Sequence, residues 1–215
     1  MESILNTNGK PILAAMVKAI QDNKAYLGEV DGLIGDGDHG MNMNKGFTLF
    51  GERHLNDGDV SFTEGLDDLG TILFSEIGGS MGPIYGTIFM DMAEAGEDFQ
   101  SIGTAELADM LKAGLAGLQE IVEAKVGDKT LVDTLSPAVD SLKASAANHV
   151  PMKDALQAMQ EAAKAGQQST KDMVAKFGRS SRLGERSRGV LDAGATSCYI
   201  ILEAMSNAMM EQVSA

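Results

Sequence analysis

Apolar residues recur at helical spacing along most of this chain. Between Lys10 and Leu27, the residues Ile12, Ala15, Met16, Ala19 and Ile20 form one stripe, which predicts an amphipathic first helix. The same periodicity predicts helices over about Met41–Glu52, Phe62–Glu76, from Pro83 onward, Thr104–Ala124, from Thr130 to Asn148, Pro151–Val174, and from Gly194 to the C-terminus. Ser61-Phe-Thr-Glu64 has the form of a capping box, and Pro83 and Pro151 suit first turns. Asn56-Asp57-Gly58-Asp59 reads as a turn between the second and third helices. Runs of β-branched and aromatic residues bounded by turns are scarce. The expected fold is all-α, an eight-helix antiparallel up-and-down barrel or bundle in a single domain spanning 1–215.

Short turns between antiparallel neighbours have a geometric consequence. The turns after helices one, three, five and seven must share one end of the barrel. Those four turns hold the unusual sequences: Asp31 to Asn42, Gly78 to Pro83, Gly127 to Thr130, and Gly178 to Gly194. Glycines let backbone approach a ligand and helix starts present N–H groups to anions, so a composite ligand site is expected at that rim.

Composition narrows the possibilities. Hydrophobic residues make up 44% of the 215 positions, enough for a sizeable core and too many for disorder. A net charge of −14 without clustered Lys and Arg argues against direct nucleic-acid binding. One cysteine, Cys198, excludes an internal disulfide and reads as a small buried hydrophobe, while the fourteen methionines read as flexible core filling. His54 and His149 read as surface histidines. No apolar run reaches membrane-spanning length and no signal peptide is evident, so a cytoplasmic chain without membrane contact is expected.

The densest chemistry lies in Asp31-Gly-Leu-Ile-Gly-Asp36-Gly-Asp38-His39-Gly40-Met41-Asn42. Like charges a few ångströms apart repel by about 1 kcal/mol even in water, so three carboxylates here call for a cation. Oxygen ligands without nearby thiols favour a hard ion, and magnesium leaves positions open for water and phosphates. Gly35-Asp-Gly-Asp-His-Gly40 formally matches the dinucleotide fingerprint, but no strand precedes it and two aspartates would repel a pyrophosphate. The order of ligands in an EF-hand is absent. The remaining alternative is an acidic capping turn without a ligand.

Four spaced motifs carry a family resemblance across almost the whole chain. They are Gly35-Asp-Gly-Asp-His-Gly40 with Asn42-Met-Asn44; Gly78-Gly79 with Gly82-Pro-Ile-Tyr-Gly86-Thr87; Gly127-Asp-Lys-Thr130 with Asp133; and Gly178-Arg-Ser-Ser181 with Leu183-Gly-Glu-Arg-Ser187 and Asp192-Ala-Gly-Ala-Thr-Ser197. Together they resemble the nucleotide-binding L subunits of dihydroxyacetone kinases. The resemblance implies an eight-helix barrel holding ADP or ATP through two magnesium ions at one rim. Phosphoryl transfer would run to dihydroxyacetone on a separate K subunit, with ADP rephosphorylated in place by a phosphohistidine M subunit of the phosphotransferase system. The phosphoenolpyruvate-dependent mode is favoured over consumption of ATP.

By the same resemblance Asp31, Asp36 and Asp38 match the metal ligands and are the residues expected to support catalysis. His39, Gly40, Met41 and Asn42 stand at a helix start suited to phosphate, although His39 as a phosphohistidine is an alternative. Ser80 and Met81 occupy a phosphate-contacting pair that is usually Ala-Ser, so the hydroxyl comes one residue early. Leu131 matches an apolar position against the base. Arg179, Asp192, Ala193 and Gly194 match the last part of the site, with Ala193 where proline is common. Asp128, Lys129, Glu185 and Arg186 are expected to form ion pairs that fix the loops.

Alternatives within enzymes are an ATP-dependent subunit for another ketose and the nucleotide domain of a fatty-acid kinase, which normally continues into further domains, whereas this chain stops near Ala215. From another class, the chain is compatible with a nucleotide-sensing coregulator of a transcriptional regulator. A homodimer is compatible with the sequence.

Overall fold

A computed structural model describes residues 2–56 and 58–214, so Asp57 of the expected Asn56–Asp59 turn lies outside the described residues. Among these residues run nine α-helices: α1 (Lys10–Asp22), α2 (Lys24–Gly32), α3 (His39–His54), α4 (Phe62–Glu76), α5 (Met81–Ala95), α6 (Thr104–Ile121), α7 (Val132–Ala147), α8 (Met152–Ser169) and α9 (Ala193–Ser214). Helices α3 to α9 each pack on the next in sequence, and α9 closes the ring against α1. Both α1 and α2 lie between α3 and α9. They form one broken stave, and the ring is the expected eight-stave barrel.

The break falls at Asn23 inside the predicted first helix. Its backbone N–H and its side-chain Nδ2 both donate to the Ala19 carbonyl, at 3.1 and 2.8 Å. An asparagine side chain that competes for the helix carbonyls ends the helix locally. The chain then restarts and runs past the predicted end to Gly32, so Asp31 sits on a helix rather than in a loop. Elsewhere α4 has the predicted bounds, and α5 begins at Met81 with Pro83 in its first turn, where a missing N–H costs nothing. Helix α6 stops at Ile121 instead of Ala124 because Val122 turns extended, and α8 stops at Ser169, short of Val174.

A pairing that helical periodicity does not encode joins β1 (Ile4–Leu5) antiparallel to β2 (Ser101–Ile102). The buried Asn6 fixes this N-terminal segment. Its Nδ2 donates to Thr63 Oγ1 at 2.9 Å and to the Phe99 carbonyl at 2.8 Å, and its Oδ1 accepts from the Thr63 N–H at 3.1 Å.

Inside the ring, Phe47, Phe50, Phe62, Tyr85 and Phe89 pack with leucines, isoleucines and methionines such as Met16, Met43, Met110 and Met205. Phe47 meets Phe89 edge-on with centroids 6.2 Å apart. Cys198 is buried in the same core, beside an apolar void of about 20 Å³, close to the space of a single water. Among the described residues no helix is long and apolar enough to cross a membrane.

Candidate functional site

Alternation around the ring brings the starts of α3, α5, α7 and α9 to one end. There the four turns expected to converge line a cleft of about 500 Å³. Asp31, Asp36, Asp38, His39, Asn42, Ser80, Met81, Leu131, Arg179, Asp192, Ala193 and Gly194 all face it. Gly40 and Met41 do not. A Cβ on Gly40 would stand 2.0 Å from the Lys24 carbonyl, so this glycine lets α3 lie against α2. Met41 is exposed on the outer rim.

Carboxylate oxygens of Asp31, Asp36 and Asp38 lie within 4.8 Å of one another. Asp31 projects from the last turn of α2, and the chain then doubles back through Gly35 and Gly37. At Gly35 a side chain would collide with Asp31 Oδ1 at 2.4 Å, and Gly37 adopts φ +78°. Burial, aided by the charges of Asp36 and Asp31, raises the Asp38 pKa above its ordinary value. On the outer side Asp36 is paired with the Arg179 guanidinium. All the donors are hard carboxylate oxygens, the set that suits magnesium.

His39, the first residue of α3, is buried. Its N–H points to Asp31 Oδ2 at 3.4 Å, and its Nε2 lies 2.8 Å from Ser197 Oγ on α9, which in turn lies 2.6 Å from the Tyr85 hydroxyl on α5. Burial pushes the imidazole pKa down to about 4, against a smaller opposing effect of Asp31. The ring is therefore neutral at pH 7, with one nitrogen already engaged.

The turn between α6 and α7 is tied to itself and to the segment before α9. Asp133 accepts from the N–H groups of Gly127 at 2.6 Å and Thr130 at 2.8 Å. Asp128 pairs with Lys176 at 2.6 Å, and this contact holds its pKa below the ordinary value. Two of the expected ion pairs come out differently. Glu185 pairs at 3.1 Å with Arg188, just past the 3-10 turn that ends at Ser187, rather than with one of the four residues expected to pair. Lys129 donates to the carbonyls of Thr170 and Val190 in place of a carboxylate. Asp192 caps α9 by accepting from the Ala195 N–H at 2.8 Å, and its burial drives its pKa up to about 6.

The cleft also has an apolar wall that sequence reasoning missed: Leu118 and Ile121 at the end of α6, Val122 and Ala124 just beyond it, and Phe177 from the segment before α9. Their spacing continues the core stripe of α6, so periodicity alone does not single them out. The whole combines helix N-termini that favour anions, carboxylates that favour a hard cation, and an apolar shelf. A phosphorylated ligand with a flat apolar end, bound through metal, satisfies all three.

Residues 33–207 match the family model described as the DAK2 domain. The chain is 39% identical over 188 residues to the ADP-binding subunit DhaL of the PEP-dependent dihydroxyacetone kinase of Escherichia coli K12, covering 86% of this chain and 89% of that one. Identity is also 39% over 188 residues to the ADP-binding subunit DhaL of the PTS-dependent dihydroxyacetone kinase of Lactococcus lactis, covering 86% and 88%. In three dimensions the chain matches the dihydroxyacetone kinase of C. freundii, solved in complex with AMP-PNP and Mg2+, with TM-score 0.71 and 23% identity over 96% of this chain. It spans 35% of that longer chain, and the likeness shows the fold.

Proposed function

This chain belongs to the DAK2 domain family, and from that membership we propose that it is the ADP-binding subunit of a dihydroxyacetone kinase that uses phosphoenolpyruvate. It works in the cytoplasm as a single phosphotransferase domain. The nucleotide stays bound as a cofactor, is rephosphorylated in place by a phosphohistidine M subunit, and passes its phosphoryl group to dihydroxyacetone on a K subunit. The observation that carries the reading is the set of three carboxylates within 4.8 Å at a rim where helix N-termini converge.

Asp31, Asp36 and Asp38 would hold two magnesium ions, which when bound neutralise charge on the transferring phosphoryl group. The start of α5 orients phosphate oxygens through the backbone N–H groups at Ser80 and Met81, while His39 and Asn42 at the start of α3 line the phosphate side of the cleft with their side chains. Leu131 and the apolar end of α6 take the base. Arg179 adds a positive charge at the open side of the phosphates, and Asp192 to Gly194 hold the start of α9 beside them.

The need for partners is supported by where apolar surface is left bare. Eight large apolar side chains are exposed among the described residues, and six of them, Leu33, Met41, Phe74, Ile121, Val126 and Phe177, sit in or beside the four site turns. Such a rim around a polar cleft is the surface a second protein covers. The test is transfer to dihydroxyacetone with purified K subunit, from phosphoenolpyruvate through the phosphocarrier proteins and from ATP alone, alongside ADP dissociation from this chain. Slow ADP release and transfer from phosphoenolpyruvate are expected. Fast release with many turnovers on ATP alone would replace the cofactor mode with an ATP-consuming one.

A further inference from the structure

Between α8 and α9 the chain forms a strap over residues 171–189 that contains little buried surface of its own. Within it only Ala175 and Ser187 are buried, and they bond to each other, the Ala175 N–H donating to Ser187 Oγ at 2.9 Å. Its conformation is short 3-10 turns with left-handed glycines at Gly178, Gly184 and Gly189. A segment with so little apolar burial is placed by its polar ties.

Those ties converge on one turn. At the base of the strap the Gly189 N–H donates to the Lys171 carbonyl at 2.7 Å, and the Asp192 N–H donates to Thr170 Oγ1 at 3.0 Å. Beneath both ends lies the Lys129 ammonium, donating to the Thr170 carbonyl at 2.6 Å and to the Val190 carbonyl. Lys129 is 1% exposed and adopts φ 61°, a left-handed backbone uncommon for a lysine. A buried ammonium costs several kcal/mol unless hydrogen-bonded, and a compact donor with three protons can bridge two carbonyls that a planar guanidinium would not fit as closely. At the far end, the exposed Arg179–Asp36 pair is of the kind that contributes little by itself.

We infer that Lys129 is a positioning residue: by joining the two ends of the strap to the α6–α7 turn, it holds Arg179 over the acidic cluster and fixes the start of α9. The inference deepens the nucleotide-binding reading of the same cleft, and it rests on that reading only where nucleotide is measured. Lys129 lines the cleft, but its ammonium is engaged by the Thr170 and Val190 carbonyls. Its effect runs through Arg179.

The test uses the full chain with Lys129→Met, which keeps the length and removes the charge and donors. Trypsin under native conditions is expected to cut at Arg182, Arg186 or Arg188 at least about tenfold faster than in wild type, since cleavage follows the population of the opened strap. Affinity for ADP with magnesium should weaken roughly tenfold, the scale of substitutions that act on a site without touching its ligand. In an Arg179→Ala background the added loss of affinity should fall below about twofold, because the two residues act through one contact. A folded Lys129→Met with wild-type cleavage, or with its full effect retained beside Arg179→Ala, overturns the inference. If wild type binds no ADP with magnesium, the functional reading fails while the cleavage comparison still decides the role of Lys129. Should the methionine variant not fold, Lys129→Gln, which keeps two donors, is measured in its place, and wild-type cleavage or a full effect beside Arg179→Ala overturns the inference there too.

Discussion

Two helix starts at each end of the barrel, those of α4 and α6 away from the cleft and those of α3 and α5 beside it, are finished differently. Away from the cleft, α4 starts with Ser61 accepting from the Glu64 N–H at 3.2 Å, and ahead of α6 Glu106 reaches back to the Gly103 N–H at 3.0 Å. At the cleft Asp192 caps α9, but α3 and α5 start at Asp38 and Ser80, both good capping residues whose side chains make no cap bond. A cap is worth about 1 kcal/mol. Leaving two unmade where carboxylates also crowd one another trades stability for N–H groups and oxygens free to meet a ligand. The closed end holds the fold, and the open end holds what the fold is for.

The sharpest break of this contrast removes the charges at the open end. Asp36→Asn combined with Asp38→Asn is expected to abolish magnesium-dependent ADP binding, a loss of at least about 1,000-fold or over 4 kcal/mol, while the helical content stays unchanged. Without ligand the variant should melt no lower than wild type, because a repulsive cluster has been relieved. Calorimetry reads both. ADP affinity unchanged in magnesium would remove the metal role from these residues.

Acid should act on two site groups in opposite directions. Asp192 is raised from 3.8 to about 6 on folding, so its contribution to stability is full below its unfolded pKa and is lost as pH rises through about 6. His39 is lowered from 6.5 to about 4, so its contribution is present above 6.5 and is lost as pH falls toward 4. In the ligand-free wild type the two nearly cancel between pH 4 and 6.5. Asp192→Asn, whose side-chain oxygen can still cap Ala195, should expose the histidine and lose up to about 3 kcal/mol more than wild type on acidification over that range. His39→Asn should gain stability over it by a similar amount. Thermal melts at pH 7 and pH 4.5 decide. Parallel profiles for the two variants would refute the opposition.

Much of this open end was legible in the residues. Glycine clusters mark where helices stop, and connectivity alone then sends alternate turns to one rim, which is how Arg179 and Asp36 meet across more than a hundred residues. The density of aspartates between Asp31 and Asp38 carries its own electrostatic demand. What stayed hidden has equally physical causes. Two-residue strands such as Ile4–Leu5 are too short to show a period. The break at Asn23 depends on one side chain winning a carbonyl from the backbone. The apolar wall of α6 continues a core stripe and changes meaning only because the helix ends at the cleft. Nothing about Lys129 in the chain distinguishes a buried ammonium from a solvated one. Only the carbonyls of Thr170 and Val190 do.

Substituting the caps themselves sharpens the comparison at a smaller scale. Ser61→Ala should cost about 1 kcal/mol of stability, through loss of the bond to the Glu64 N–H, and leave ADP affinity unchanged. Ser80→Ala, which removes no cap bond, should change the stability of the ligand-free chain by less than about 0.5 kcal/mol. Equal costs in a denaturant series would mean that the two ends are built alike.

The smallest expected effect tests whether the open end relies on backbone or on side chains. Met81 begins α5 and lines the cleft, in a position where the resemblance to dihydroxyacetone kinase L subunits places a serine hydroxyl. Ser80, one residue earlier, is exposed and lines the same cleft, so its hydroxyl is available but displaced along the chain. If phosphate is held by the N–H groups at the start of α5, side chains at these positions are nearly interchangeable, since the donors belong to the backbone. Met81→Ser then leaves ADP affinity in magnesium unchanged. If a hydroxyl at that position takes part, the same substitution tightens binding by up to about 1 kcal/mol, one neutral hydrogen bond. Loss of the methionine should cost little in stability, because it is half-buried at a rim rather than packed in the core. The convergence of helix starts favours the first outcome. A gain approaching about fivefold would show that the uncapped ends are completed by side chains, and that this chain carries a weakened version of that arrangement.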